Sequence, residues 1–415
     1  MAQPRADNRI AGGNLKREFA ACRALSEALV APLSEADAAI QSMDDASPAK
    51  WHVAHPTWFW ETFLLRDHSP GYRVWRDDWA YLFNSYYEGE GPRLDRGRRG
   101  MLSQPSLAEI ADWRAHVNAA MEPLIDDPAL RSLIRLGIAH EQQHQELLLT
   151  DIKHALFQNP LGPAMWQVAV IEPDVSGPAA ADTNGWHTYP GGIAMIGCDG
   201  PEFAFDNEGP VHRALIEPFA LAEQLVSNRE WQEFLDDGGY DTPTLWLADG
   251  WAWVRRETIT APLYWRGDEH FTHNGWQRRE PLAPVTHISH YEADAFATWA
   301  GARLPTEFEW EAVAQGQDPR GGNQLDGAAP PLPHGGSELF GDCWQFTRSA
   351  YLPYPRFRPA AGAVGEYNGK FMSGQVVLRG ASCATPRGHS RASYRNFFYP
   401  GQRWQFTGLR LAKDL

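Results

Sequence analysis

Apolar side chains recur at helical spacing through the first third of the chain. This pattern predicts four helices, over residues 14–45, 47–66, 107–125 and 129–157. The second helix opens on Ser47 and Pro48, residue types that helices favour at the N-cap and at the first helical position. Four helices with one long connection, residues 67–105, predict a helical bundle.

The pattern changes in the second half of the chain. Short β-like runs lie there among many Gly, Pro, Trp and Tyr residues, and two helical segments interrupt them. The β-like runs cover 192–196, 376–379 and 408–411, and the helical segments cover 227–235 and 291–300. Short strands with irregular connections predict an α+β domain with little regular structure per residue.

A stretch rich in Pro, Gly and Ala separates these two regions. Residues 172–185 read EPDVSGPAAADTNG and show no periodicity, so we interpret them as a linker. A chain of 415 residues is also too long for one ordinary core. The sequence therefore predicts an α+β protein with a helical domain over 1–171 and an irregular α+β domain over 186–415.

The overall charge disfavours nucleic acid as the main partner. The formal net charge is −15 at pH 7, and this average field repels a phosphate backbone. A local basic cluster nevertheless lies in the long connection of the helical domain. Its members are Arg93, Arg96, Arg98 and Arg99. Such a cluster suits a small carboxylate better than a polymer.

The compartment follows from what the sequence lacks. No run of 18 or more apolar residues occurs, so we expect no membrane span. The first 14 residues are polar and lack the apolar core of a signal peptide. The four cysteines are scattered and form no CxxC pair, which disfavours a disulfide framework. We therefore expect a cytoplasmic protein.

Two histidine motifs predict a metal site. In HEQQH, His140 and His144 are four residues apart in a strongly helical pattern, which places both imidazoles on one helix face. In WHVAH, His52 and His55 lie on another predicted helix, and one of them can complete a three-histidine site. Imidazole ligands suit Fe, Zn, Cu or Ni, so the ligand type leaves the metal open. His154 follows His144 by ten residues on the same predicted helix, and we interpret it as a packed or solvated histidine.

The same motif admits a hydrolytic alternative. HEQQH also matches the HExxH pattern of zinc proteases, in which Glu141 would be the general base. No third ligand follows at the usual zinc-protease spacing, and the flanking bundle pattern differs. We therefore prefer a metal site of another kind.

Several motifs in order resemble a known family over nearly the whole chain. HEQQHQE and WHVAH, followed by FDNEGPVH, LPTEFEWE, RNFF and GLRLA, resemble the sulfoxide synthases of ergothioneine biosynthesis. Those enzymes join a DinB-like four-helix bundle to a formylglycine-generating-enzyme-like (C-type-lectin-like) α+β domain. The resemblance implies Fe(II) held by His55, His140 and His144, O2 as co-substrate, and hercynine as substrate.

The resemblance also implies roles around the metal. One member of the pair Tyr86 and Tyr87, in FNSYYE, supplies a proton or an electron during O2 activation, and Gln143 helps to hold the substrate imidazole. The remaining substrate-binding residues are Asn396, Phe397 and Phe398 of RNFF, together with Arg93, Arg96 and Arg99. An aromatic face attracts a quaternary ammonium group by roughly 0.5–2 kcal/mol, and guanidinium groups grip carboxylates.

Departures from the sulfur-using branch point to a sister branch. A lone Cys383 stands where formylglycine-generating enzymes have a cysteine pair, which disfavours that activity. Compared with the sulfur-using branch, the chain has Gln345 where we expect Glu and Ser373-Gly374 where we expect Cys-Asn. These changes favour the selenoneine synthases, which join selenium from a selenosugar to hercynine. The alternatives are an ergothioneine-type enzyme that uses cysteine or γ-glutamylcysteine, and an inactive homologue that only binds metal or ligand.

Overall fold

The computed structural model describes residues 8–167, 185–359, 365 and 368–415, with side chains from Leu15 onwards. The chain forms two compact units, Met1–Ala155 and Leu156–Leu415. The predicted linker at 172–185 lies outside the described residues except for Gly185. The predicted domain boundaries at 171 and 186 therefore stay predictions.

Six α-helices begin among the residues of the first unit that the structure describes. They are α1 (Asn8–Val30), α2 (Glu35–Ala39), α3 (Ala49–Trp60), α4 (Trp79–Phe83), α5 (Leu107–Met121) and α6 (Arg131–Gln158). α3 packs against α1 and α5, and the rings of Trp60 and Trp113 are fully buried in this core. The long helices α1, α3, α5 and α6 confirm the predicted four-helix bundle.

Several helix boundaries differ from the prediction, and two of the differences have a local cause. The run predicted over 14–45 is two helices, because Pro32 cannot continue α1 and Ser34 starts α2 by accepting a hydrogen bond from the backbone N–H of Asp37. The prediction of Ser47 as the N-cap of α3 was wrong: Pro48 holds that position. The Ser47 hydroxyl instead accepts a hydrogen bond from Arg99, at 2.9 Å.

Four further α-helices lie in the described part of the second unit. They are α7 (Asn228–Asp236), α8 (Ala248–Glu257), α9 (His290–Trp299) and α10 (Glu307–Ala314). The segments predicted over 227–235 and 291–300 correspond to α7 and α9, while α8 and α10 were not predicted. Reciprocal capping hydrogen bonds between Thr306 and Glu309 start α10, so its Thr-x-x-Glu signature was present in the sequence. No helix within the described ranges is long and apolar enough to cross a membrane.

Short strands form four sheets in the described part of the second unit. The strands are β1 (Trp186–Tyr189), β2 (Gly192–Ile196), β3 (His212–Ile216), β4 (Phe219–Ala222), β5 (Trp265–Arg266), β6 (Glu269–Thr272), β7 (Gly275–Arg278), β8 (Trp344–Ala350), β9 (Val376–Arg379), β10 (Asn396–Phe398), β11 (Thr407–Gly408) and β12 (Ala412–Asp414). The sheet orders are β1-β4-β12, β10-β9-β8-β11, β2-β3 and β5-β6-β7. All neighbouring strands are antiparallel except β11 and β8, which are parallel. The sheets and the helices around them make this unit the predicted α+β domain.

The β predictions were partly right. β2 and β9 match the runs predicted at 192–196 and 376–379, but the run at 408–411 is a strand only at Gly408. Two short strands, β11 and β12, flank that stretch, where Arg410 is fully buried.

Hydrogen bonds from buried arginines join the sequence motifs of the second unit. Glu307, in LPTEFEWE, accepts hydrogen bonds from Arg379 at 2.9 Å and from Arg395, the first residue of RNFF, at 2.9 and 3.0 Å. Arg410, in GLRLA, donates to the Gln345 side chain at 3.0 Å. Because a buried charge is costly without a partner, these motif residues specify the core of this unit.

Candidate metal centre

Three buried histidines converge in the first unit. His55 lies on α3, whereas His140 and His144 lie one turn apart on α6. One ring nitrogen of each histidine lies within 4.8 Å of those of the other two, and the Nε2 atoms of His55 and His140 are 3.2 Å apart. The structure therefore brings together the three residues that the resemblance names as metal ligands.

Two indole rings and one backbone carbonyl hold the imidazole of His55. Trp51 stacks on this ring at 4.6 Å with an interplanar angle of 10°, and Trp58 stacks on it at 5.6 Å and 15°. The Nδ1 atom donates to the carbonyl oxygen of Phe83 at 2.6 Å. With the proton on Nδ1, the lone pair of Nε2 is available to a metal ion.

The burial of the three rings favours their neutral form. Burial lowers the pKa of His140 to about 4 and holds the pKa values of His55 and His144 well below their usual range. Neutral imidazole is the form that ligates metal ions. A buried set of three neutral nitrogen donors therefore fits the Fe(II) that the resemblance implies, although it also fits other transition metals.

His52 lies beside this triad and not in it. Its Nδ1 atom is 3.0 Å from Nδ1 of His144, and its Nε2 atom is 3.0 Å from Oδ2 of Asp151. The backbone N–H of Ser47 donates to the same carboxylate oxygen at 2.8 Å. Asp151 was not predicted from the sequence, although it follows His144 by seven residues and therefore shares its face of α6.

Glu141 lies on a different face of α6 from its neighbour His140. Its carboxylate is fully buried and accepts hydrogen bonds from Arg23 at 2.9 Å and from Arg114 at 3.0 Å. Ser26 and the indole of Trp60 donate to it as well, at 2.7 and 2.9 Å. A carboxylate with four internal donors is a structural counter-ion and not a free base, which removes the hydrolytic alternative.

The two tyrosines of FNSYYE have different surroundings. Tyr87 is buried, with its ring 5.5 Å from that of Trp58, which stacks on His55. Tyr86 is half-buried, and its hydroxyl accepts a hydrogen bond from Arg96 at 3.0 Å. Tyr87 is thus separated from the histidine triad by a single aromatic ring, whereas Tyr86 belongs to the arginine cluster.

The three arginines that the resemblance names as substrate-binding residues have different partners. Arg93 pairs with Glu88. Arg99 is buried over the Trp51 ring at 3.5 Å, donates to the hydroxyl of Ser85 at 3.1 Å, and has its pKa lowered to about 9 by burial. The Nε atoms of Arg96 and Arg99 are buried and have no hydrogen-bond partner among the described residues. These two guanidinium groups therefore retain donor capacity for an oxygen-rich or anionic ligand.

The predicted substrate residues of RNFF lie on β10 of the second unit. Asn396, Phe397 and Phe398 are half-buried. The ring of Phe397 stacks on that of Tyr351 at 4.1 Å and 11°, and lies 5.8 Å from that of Phe371. The strand thus presents a partly exposed aromatic ring on a buried aromatic base. Gln143, on α6 of the first unit, is also half-buried.

The surroundings of Gln345 show what is affected by its difference from the sulfur-using branch, in which we expect Glu. Its side chain is fully buried, accepts a hydrogen bond from the indole of Trp310 at 2.8 Å, and donates to the carbonyl of Leu339 at 2.7 Å. The exchange of Glu for Gln345 therefore concerns the core of the second unit and carries no information about the donor. Ser373 and Gly374 are exposed.

Comparisons with known proteins cover both parts of the chain. The model of the DinB superfamily matches residues 18–148, and that of the sulfatase-modifying factor enzyme 1-like domain matches residues 173–326. A hercynine oxygenase of Mycolicibacterium smegmatis is 33% identical over 407 residues, which cover 89% of this chain and 91% of that protein.

Two further relatives match this chain over different lengths. A hercynine oxygenase of Mycobacterium tuberculosis is 31% identical over 403 residues, covering 89% of this chain and 91% of that protein. A formylglycine-generating enzyme of Thermomonospora curvata is 35% identical over 152 residues, which cover 32% of this chain and 49% of that protein. The similarity to the first two relatives thus spans both units, whereas the third matches a single region.

Proposed function

We propose, because this chain belongs to the hercynine oxygenase family, that it is a non-haem iron oxidoreductase that joins a selenium or sulfur atom to the imidazole ring of hercynine. The observation that carries this proposal is the convergence of three buried, neutral imidazoles from α3 and α6. Fe(II), when bound by His55, His140 and His144, supplies the activation of O2 and a site for a soft donor atom.

The reaction replaces one hydrogen on carbon C2 of the imidazole by the donor's selenium or sulfur. For coupling alone, one hydrogen leaves C2 and one leaves the donor as two protons and two electrons, which reduce O2 to hydrogen peroxide. Where the product is a sulfoxide, O2 accepts four electrons, so that one of its oxygen atoms goes to sulfur and the other leaves as water. A tyrosine of the pair Tyr86 and Tyr87 supplies a proton or an electron in this step. Tyr87 is supported by its contact with Trp58, and Tyr86 by a hydroxyl that Arg96 already orients.

Hercynine carries a quaternary ammonium group, an imidazole and a carboxylate. We propose that Phe397 contacts the ammonium group through its ring, with Phe398 beside it and Asn396 as a hydrogen-bonding partner. The stacking of Phe397 on Tyr351 supports this role, because it fixes the ring without burying it completely. Gln143 is proposed to hold the substrate imidazole.

For the donor we propose a selenosugar. Two buried carboxylates of α6 are already engaged, Glu141 by its arginines and Asp151 by His52. A thiol is mostly protonated near neutral pH and needs a base, whereas a selenol ionises without one. The lack of an available carboxylate at these two positions therefore favours a selenol donor.

One observation favours a cysteine-type donor as the second candidate. The buried Nε atoms of Arg96 and Arg99 have no partner among the described residues, and a guanidinium group in that state suits the carboxylate of an amino-acid thiol. We propose that these two arginines, with Arg93 beside them, bind the oxygen atoms of the donor. Sugar hydroxyls and a carboxylate can both accept hydrogen bonds from these guanidinium groups.

A donor competition tests the proposal. Hercynine and O2 are supplied to the iron-loaded protein with a selenosugar, cysteine and γ-glutamylcysteine at equal concentrations, and products are identified by mass spectrometry. We expect O2 uptake and a hercynine adduct with the selenium isotope pattern. Sulfoxide from cysteine without any selenium product would select the second candidate. No hercynine product with any donor would contradict the function itself, and a His140→Ala protein controls for uncatalysed coupling.

A further inference from the structure

A chain of two hydrogen bonds connects one proposed metal ligand to a buried carboxylate. It runs from Nδ1 of His144 to Nδ1 of His52 at 3.0 Å, and from Nε2 of His52 to Oδ2 of Asp151 at 3.0 Å. All three side chains are buried, with exposed fractions of 7%, 3% and 2% respectively. We infer that His52 and Asp151 are positioning residues that set the tautomer and the ring orientation of His144, and this inference rests on the proposed metal site.

The carboxylate fixes the direction of both hydrogen bonds. A carboxylate only accepts, and Oδ2 of Asp151 already receives the backbone N–H of Ser47 at 2.8 Å. The Nε2 atom of His52 must therefore be the donor to Asp151. A neutral imidazole has one N–H, so Nδ1 of His52 is left as an acceptor.

The acceptor role of His52 Nδ1 also determines which ring nitrogen of His144 carries the proton. Since Nδ1 of His52 accepts, Nδ1 of His144 must carry the proton and donate. The lone pair of His144 is then on Nε2, the nitrogen left to face a metal ion. The opposite tautomer would place an N–H on Nε2 and block ligation. A hydrogen bond on the outer nitrogen is the usual way in which proteins orient a ligating histidine.

The neighbouring ligand obtains the same tautomer by a different route. The Nδ1 atom of His55 donates to the carbonyl oxygen of Phe83 at 2.6 Å, and that acceptor belongs to the backbone. The tautomer of His55 thus depends on no side-chain acceptor, whereas that of His144 depends on His52 and Asp151. Substitution of His52 should therefore disturb the position of His144 and leave that of His55 unchanged.

Three variants distinguish positioning from packing. His52→Leu fills a similar volume without hydrogen bonds, and His52→Gln retains both an acceptor for His144 and a donor for Asp151. His154→Leu is the matched control, because His154 is a buried histidine of the same helix whose Nδ1 pairs with Ser42 at 2.7 Å, outside the triad. We expect His52→Leu to weaken Fe(II) binding by roughly 10–100-fold. His52→Gln should restore most of the affinity, and His154→Leu should leave it unchanged.

Anaerobic titration of each protein with Fe(II), alongside its thermal unfolding, gives the readout. A wild-type protein that binds no Fe(II) at the histidines would contradict the proposed function. Wild-type affinity in a folded His52→Leu protein would overturn the positioning role while leaving the proposed function intact. Equal loss of affinity in the Leu and Gln variants would overturn it as well.

A second measurement uses the wild-type protein alone, so its result does not depend on the folding of a variant. In metal-free protein labelled with 15N at histidine, nitrogen chemical shifts and two-bond couplings report which ring nitrogen carries the proton. We expect the proton on Nδ1 of His144 and on Nε2 of His52. A proton on Nε2 of His144 would overturn the inference.

Discussion

Two faces of α6 carry buried polar centres of opposite kinds. His140 belongs to a cluster of uncharged imidazoles whose ring nitrogens face one another, whereas its neighbour Glu141 is a carboxylate enclosed by two guanidinium groups. On the glutamate face each donor is matched by an acceptor within the bundle. On the histidine face three basic nitrogens converge, and hydrogen bonds at the outer nitrogens of His55 and His144 hold them there. The difference separates a centre that stabilises the bundle from one suited to bind a metal ion.

The largest expected effect is on the glutamate face. Glu141→Gln should lower the free energy of unfolding by about 3–5 kcal/mol, because it leaves the guanidinium groups of Arg23 and Arg114 buried without their counter-ion. Urea unfolding measures the change, and Glu122→Gln, at an exposed position, should stay within about 0.5 kcal/mol of wild type. A loss below 1 kcal/mol on Glu141→Gln would show that the ion cluster does not stabilise the bundle.

The pH dependence of stability should follow the same residue. Burial opposes the ionisation of Glu141, but Arg23 and Arg114 outweigh it and lower the pKa to about 2 from the usual 4.5. The stabilisation is therefore fully present above pH 4.5 and is lost as the pH falls toward 2, which removes about 3 kcal/mol. Chemical unfolding of wild type and Glu141→Gln between pH 7 and pH 2.5 should show the difference between them shrinking with acid. A constant difference would contradict this account.

A smaller effect tests whether a tyrosine takes part in the reaction together with the three histidines. If Tyr86 or Tyr87 supplies the proton or electron, its Phe variant should lose at least about tenfold, or 1.4 kcal/mol, in the coupling rate while its KM values stay unchanged. Tyr81→Phe is the control, because Tyr81 is exposed. Unchanged coupling in both single variants and in the double variant would reduce the pair to packing residues.

The smallest expected effect concerns the second unit. There, too, a buried side chain, Tyr351, lies beside one proposed to bind substrate, the half-buried Phe397. Phe397→Ala should raise the KM for hercynine several-fold, in line with a cation–π contact of about 0.5–2 kcal/mol. The effect on histidine, which lacks the cationic methyl groups, should be far smaller. Steady-state kinetics with both compounds measures this, and equal losses would show that Phe397 does not contact the ammonium group.

Strong local signals made part of this structure predictable. The periodicity of the first third of the chain is long enough to reveal the bundle, and the spacing of His140 and His144 on one helix is a local property. The motif resemblance supplied His55 and excluded His52 as a ligand. β11 and β12 were missed because strands of two or three residues are too short to show a period.

Tertiary contacts account for most of what the sequence did not reveal. Arg23 and Arg114 meet Glu141 only through the packing of α1 and α5 against α6, so the sequence left Glu141 available as a base. The exchange at Gln345 was interpreted as a sign of the selenium branch, because no local pattern distinguishes a buried amide from one that lines a cavity. The link from His52 to Asp151 joins two helices, and only the seven-residue spacing after His144 hinted at it.

The iron content of histidine variants tests the central claim most directly. His55→Ala, His140→Ala and His144→Ala are purified beside His154→Ala, loaded anaerobically with Fe(II), desalted, and measured by elemental analysis. We predict stoichiometric iron in wild type and in His154→Ala, and loss of iron in each of the three others, because two imidazoles rarely hold Fe(II) tightly. An iron-replete and folded His55→Ala protein would contradict the assignment of the triad.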